Sequence, residues 1–149
     1  MGDFKVGQLA KELVVGRLRD LPNPCMVAAE VVKRTLLVAL KDGGAPDWKV
    51  IEDACQGGMT GLLLTEQDLA KGAVLILTSV ADIATDLHLD PSEAMHAALR
   101  GLADIRRFAG SEKLLQIRDA IEARYMGVGE AFATILKSAP VEGTERVKP

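Results

Sequence analysis

Both histidines of the chain fall with four acids in one stretch, Asp82 to His96, which holds Asp82, Asp86, His88, Asp90, Glu93 and His96. Imidazoles and carboxylates projecting from helices are the ligands a divalent cation takes in a helical bundle. Glu93 and His96 stand as Glu-x-x-His, the spacing that puts two ligands on one helix face. Asp86, His88, Glu93 and His96 are therefore the metal-ligand candidates, and a divalent cation is the only cofactor the sequence points to. A di-iron bundle needs Glu-x-x-His twice and two further glutamates, and the motif occurs once here. The same residues also read as helix punctuation. Asp90-Pro91-Ser92-Glu93 is a cap, a proline at the first helical position and an acid at the third. Asp82 and Asp86 would then be a solvated face.

The stretch His96-Ala97-Ala98-Leu99-Arg100-Gly101 resembles the phosphoacceptor stretch of histidine phosphotransfer domains, which are helical bundles. In this chain Arg100 and Gly101 each stand one place later than in that pattern, and one residue turns a helix by about 100°. The glycines at 57, 58 and 61 follow no strand and precede no Gly-Lys-Ser/Thr, so they predict a turn or a close helix contact instead of a phosphate loop. No catalytic cysteine signature or nucleophile elbow is present.

With 149 residues, 48% of them apolar and 26% charged, the chain has a globular composition and enough length for one core. Aromatics are only 3%, so that core must be aliphatic. The same scarcity argues against strand-rich sandwiches and against stacking on single-stranded nucleic acid. A net charge of −3 argues against a basic nucleic-acid-binding domain. The charge is uneven. Residues 1–99 carry nine basic and fourteen acidic side chains, and residues 100–149 nine and seven. Cys25 and Cys55 lack the spacing of a metal or redox pair and are expected as two buried thiols. The charged N-terminus has no apolar signal core, and no apolar run approaches membrane-spanning length, so a cytoplasmic protein without membrane contact is expected.

Apolar spacing predicts an all-α fold: a compact bundle of five to six antiparallel helices with a long C-terminal helix. Residues 1–138 would form one helical domain and residues 139–149 a flexible tail. The first helix is read from about Asp3 to Asp20 and the second from Pro24 to Lys41, with Ala28, Val31, Val32, Thr35, Val38 and Ala39 inward. The third begins near Pro46 and carries Trp48, Ile51, Ala54 and Cys55. The fourth spans Glu66 to Leu87, capped by Thr65, with Leu69, Ala73, Ile76, Val80, Ile83 and Leu87 as its stripe. The fifth runs from Pro91 to Ala109. The sixth, capped by Ser111, extends to Lys137 with a seam of Leu114, Ile117, Ile121, Tyr125, Val128, Phe132 and Ile135. An offset of 45 residues carries Ala28, Val31, Thr35, Val38, Ala39, Pro46, Val50 and Ala54 onto Ala73, Ile76, Val80, Ile83, Ala84, Pro91, Met95 and Leu99, as a repeated helix pair would, and as any two amphipathic helix pairs with a proline-started second helix also would.

A continuous helix over 111–137 would be about 40 Å long and outrun its neighbours. Its distal seam steps by four and three, the coiled-coil spacing. Ile121, Tyr125, Val128, Phe132 and Ile135 are therefore the expected interface of a homo-oligomer, with another protein partner as a further possibility; the competing reading is that Gly127 and Gly129 allow a bend or close approach by which the helix folds back and buries the seam internally. Catalytic side chains are scarce and apolar helix surface is abundant. The sequence therefore points to a non-enzymatic interaction protein: a homo-oligomeric scaffold, adaptor or regulatory subunit. The competing reading is a metal- or small-ligand-binding protein or enzyme centred on Asp82–His96.

Overall fold

The helices begin where the sequence punctuates them. Pro24 occupies the first turn of its helix, and the Asp47, Asp68 and Asp90 carboxylates each accept a backbone N–H of the helix that follows. The computed structural model describes residues 6–11, 23–41 and 47–138. Residues 6–11 are helical and are the described part of α1. They are followed by α2 (Pro24–Leu40), α3 (Trp48–Leu64), α4 (Leu69–Asp86), α5 (Pro91–Ala103), a 3-10 turn (Asp104–Arg107), α6 (Ser111–Arg124) and α7 (Val128–Lys137). Among the described residues there is no strand, and no helix is long and apolar enough to cross a membrane. The tail at 139–149 and most of the first helix lie outside the described residues.

The core is aliphatic. Leu36, Ile51, Met59, Leu62, Ile76, Leu77, Val80, Ile83, Leu102, Ile117, Ile121 and Phe132 are fully buried in it. The stripe expected on α4 is buried at Leu69, Ala73, Ile76, Val80 and Ile83, as a 3.6-residue period requires. α2 packs most extensively on α4, and α3 on α5. Buried positions repeat with these pairs. Ala28, Val31, Val32 and Thr35 correspond to Ala73, Ile76, Leu77 and Val80, the 45-residue offset. Between α3 and α5 the offset that matches burial is 43, carrying Ile51, Ala54, Cys55, Gly58 and Met59 onto Ala94, Ala97, Ala98, Gly101 and Leu102.

The glycines of α3 do not break it. Gly57 and Gly58 lie inside a continuous helix because neighbours come too near for a side chain. A Cβ on Gly57 would collide with the Gly7 carbonyl of α1, and one on Gly101 of α5 would collide with the Glu52 carbonyl of α3. Glycine thus lets α1 and α5 both approach the α3 backbone.

Four boundaries differ from the sequence reading. Thr65 closes α3 instead of capping α4: its hydroxyl donates to the Gly61 carbonyl at 2.8 Å, and Asp68 caps α4 through Lys71 N–H at 3.0 Å. α5 ends at Ala103 and tightens into the 3-10 turn. Ser111 is the first residue of α6 and not its cap, which is Gly110. Most consequentially, the helix expected over 111–137 is two helices. Tyr125 turns extended, Gly127 takes a left-handed φ of 87°, and α7 begins at Val128. Val38 also departs from its expected inward place and is 72% exposed.

Candidate functional site

The four metal-ligand candidates lie near one another in sequence without converging. Asp86 ends α4, His88 sits in the following turn with φ 57°, and Glu93 and His96 occupy the first and second turns of α5. All four are exposed. Among the described residues no three His, Cys, Asp or Glu side chains gather in a way that could hold a metal ion. The expected metal centre is therefore not assembled. These residues serve as the punctuation of the α4–α5 turn. The Asp90 carboxylate accepts Ser92 N–H at 2.9 Å and Glu93 N–H at 3.3 Å. Glu93 then supplies negative charge to the first turn, where the helix dipole favours it. His96 is solvent-facing on α5, and Arg100, one turn further on, pairs with Glu52 of α3.

The two αα turns share one geometry. At the end of α3, Glu66 N–H donates to Leu63 O at 3.1 Å and Gln67 N–H to Leu62 O at 2.9 Å. At the end of α4, His88 N–H donates to Thr85 O at 3.3 Å and Leu89 N–H to Ala84 O at 2.9 Å. Each is a Schellman closure with the left-handed position filled by a residue other than glycine, Glu66 at φ 59° and His88 at φ 57°. Each leads within two residues to an aspartate that caps the next helix.

The largest polar constellation runs along the seam of α3 with α5, a region the sequence reading did not single out. Lys49 Nζ lies 3.8 Å from Glu52 and 3.6 Å from Asp53. Arg100 reaches Glu52 at 3.2 Å, Gln56 donates to Asp104 at 2.6 Å, and Arg107 reaches Asp104 at 3.2 Å. Lys49, Glu52, Asp53 and Gln56 could have been found together at the i, i+3 and i, i+4 spacings of α3, but the cross-helix partners could not. Burial holds the Asp53 carboxyl above its ordinary range, Lys49 opposes that rise, and Glu52 and Asp47 add to it. Every carboxylate of the ladder faces a cation or an amide donor. Such partly exposed pairs contribute about 0–1 kcal/mol each and fix register between α3 and α5.

The remaining reactive groups are enclosed. Cys25 and Cys55 are free and buried. The Cys25 thiol donates to Asp68 O at 3.3 Å, and burial together with the Asp68 charge pushes its pKa up. Burial pushes the Cys55 thiol far above its ordinary range. Among the described residues no buried side-chain nitrogen or oxygen lacks a partner. Ser79 donates to Ala29 O at 3.1 Å, tying α4 to α2, and the Tyr125 hydroxyl meets Thr78 Oγ1 at 2.8 Å, tying the α6–α7 turn to α4.

The seam expected to meet a partner is turned into the chain's own core. Ile121 and Phe132 are fully buried, and Tyr125, Val128 and Ile135 are partly buried against the core. Burial of these side chains within one chain removes the reason for reading them as an exposed interface. The apolar side chains left outside are different ones: Met26, Val38, Leu64, Phe108, Leu115 and Met126.

Compared with known proteins, the chain matches no family model, no curated protein and no solved structure.

Proposed function

We propose that the chain works by binding protein, as a non-enzymatic, homo-oligomeric helical scaffold, adaptor or regulatory subunit. The observation that carries this reading is two large apolar side chains left in water on either side of Gly110. Phe108 is 67% exposed just before it, and Leu115 is 52% exposed in the second turn of α6 just after it. Keeping a phenyl ring and an isobutyl group in water forgoes free energy that a partner surface would recover. The uneven charge supports a second copy as that partner. Gly110 lies in the part of the chain where basic side chains outnumber acidic ones, while residues 1–99 carry the acidic excess. Complementary fields of this kind steer association.

Sedimentation equilibrium on the wild type, Phe108→Glu and Leu115→Glu tests the reading. Both positions are surface positions, so both variants are expected to fold. The wild type is expected above 15.9 kDa at micromolar concentration, and the variants are expected to fall toward that monomer mass. A wild-type mass of 15.9 kDa overturns the homo-oligomer.

A further inference from the structure

We propose that α7 is an exchangeable arm: the Tyr125–Gly127 turn can straighten, join α6 to α7, and deliver α7 into the groove between α5 and α6 of a second copy. The inference rests on the homo-oligomeric reading and specifies how two copies become joined.

The seam of this segment keeps one helical period across the break. Ile121, Tyr125, Val128, Phe132 and Ile135 step by four, three, four and three, so a continuous helix would present the same apolar face as the two separate helices. The turn between them is packed at Tyr125, which is partly buried and meets Thr78, and is open at its other two residues. Met126 is 90% exposed, and a Cβ on Gly127 would meet nothing within 4 Å. The break is held by the Tyr125–Thr78 contact and by Glu122. Glu122 accepts Gly127 N–H at 2.8 Å and Gly129 N–H at 2.9 Å, two amides that a straight helix would direct to the carbonyls of Ala123 and Tyr125. α7, by contrast, is firmly seated. It packs on α6 and α5, buries Phe132 completely, and receives Arg106 Nη1 on the Ile135 carbonyl at 3.3 Å.

The occupant of the groove in an exchanged pair is chemically identical to the one it holds here, so the packing of α7 on α5 and α6 is recovered, while the turn and the Glu122–Gly129 bond are given up. Two copies held through Phe108 and Leu115 also present each arm to the other's groove at a high effective concentration.

The test combines sedimentation with an intrachain distance. Spin labels are placed at Lys113→Cys and Lys137→Cys, both exposed, and labelled chains are diluted with unlabelled ones. The native cysteines are buried. In the folded-back form the two labels are close, because Arg106, just before α6, bonds Ile135 near the end of α7. In a straight helix the 24 intervening residue steps span about 36 Å. Gly127→Ala disfavours the left-handed turn and favours the straight helix, which shifts the balance by roughly 10–100-fold per chain. This variant is expected to be dimeric with the long distance. Should it fail to fold, Glu122→Ala, which removes the cap without backbone strain, is read in the same way. A folded dimer with the short distance overturns the exchange and leaves the homo-oligomer standing. A folded monomer in these variants overturns the exchange, and a monomeric wild type overturns the homo-oligomer as well.

Discussion

The Glu122 carboxylate reaches across the α6–α7 turn and accepts the backbone N–H of Gly129 at 2.9 Å. The approach is possible because Gly129 has no side chain: a Cβ there would lie 2.6 Å from Glu122 Cβ and 2.8 Å from the Arg118 carbonyl. Gly127 N–H meets the other oxygen of the same carboxylate at 2.8 Å. One acid therefore does for α7 what Asp47, Asp68 and Asp90 do for α3, α4 and α5, but from the preceding helix.

At concentrations where the chain is monomeric, Glu122→Ala should cost about 0.5–2 kcal/mol, the range for loss of a cap. Glu122→Gln should cost less, because an amide oxygen still accepts. The loss should be local. Hydrogen exchange should accelerate over 128–137 before it does in α4, because α7 is anchored otherwise by Phe132 and the Arg106–Ile135 bond. Equal protection of α7 in wild type and Glu122→Ala would assign the turn's stability elsewhere.

His88 holds the left-handed position of the α4–α5 turn with φ 57°, where its Cβ is crowded against the backbone. His88→Gly should raise stability by about 0.5–1 kcal/mol, the relief of that crowding less the added freedom of the unfolded chain. Chemical denaturation midpoints give the comparison. A midpoint lowered by His88→Gly would mean that the imidazole contributes contacts outweighing its backbone strain.

The helices were legible where burial follows one period and a cap precedes it. The α4 stripe and the Asp90 cap both follow from spacing within a single helix. The α6–α7 break was not legible from that spacing, because Tyr125-Met126-Gly127 interrupts the helix without interrupting the apolar period. Its signal was Gly127 and Gly129, which permit a bend or a close approach, and the structure uses the first for the turn and the second for the approach. Among the described residues the acid and histidine segment gathers no three metal-ligating side chains, for a related reason. Its residues are spread over the end of α4, the following turn and the first turns of α5, while the Arg100–Glu52 and Gln56–Asp104 pairs, 48 residues apart, assembled across elements that sequence spacing does not relate.

Two glycines make a paired test of the packing. Gly101 faces the Glu52 carbonyl and Cys55 of α3, so Gly101→Ala forces α5 away from α3 and should cost about 1–3 kcal/mol, the range for overpacking. Gly110 caps α6 with extended φ and ψ of −75° and 170° and open space at its Cβ position. Gly110→Ser should instead add a side-chain cap and stiffen the unfolded chain, a gain of about 0.5–1 kcal/mol. Melting curves for the two variants should move in opposite directions. A neutral Gly101→Ala would mean that the α3–α5 contact can open without loss.

Asp53 supplies the pH dependence. Its folded pKa lies above the ordinary 3.8, chiefly through burial, with Lys49 opposing the rise. The folded state therefore holds this proton more tightly than the unfolded state does. Above the folded pKa the ionised carboxylate is a net burden on the fold, and the burden is lifted as pH falls through the folded pKa toward 3.8. Asp53→Asn places a neutral group there at every pH. Relative to wild type it should be stabilising at pH 7, and its advantage should shrink as both proteins are taken into the acid range where Asp53 protonates. Lys49 pairs with Asp53 at 3.6 Å and with Glu52 at 3.8 Å, so the ammonium keeps a partner in the variant. The measurement is the difference in thermal midpoint between the two proteins across pH 7 to 3. A variant less stable than wild type at pH 7, with the deficit closing in acid, would reverse the sign and make the Lys49 ion pair outweigh the cost of burying the carboxylate.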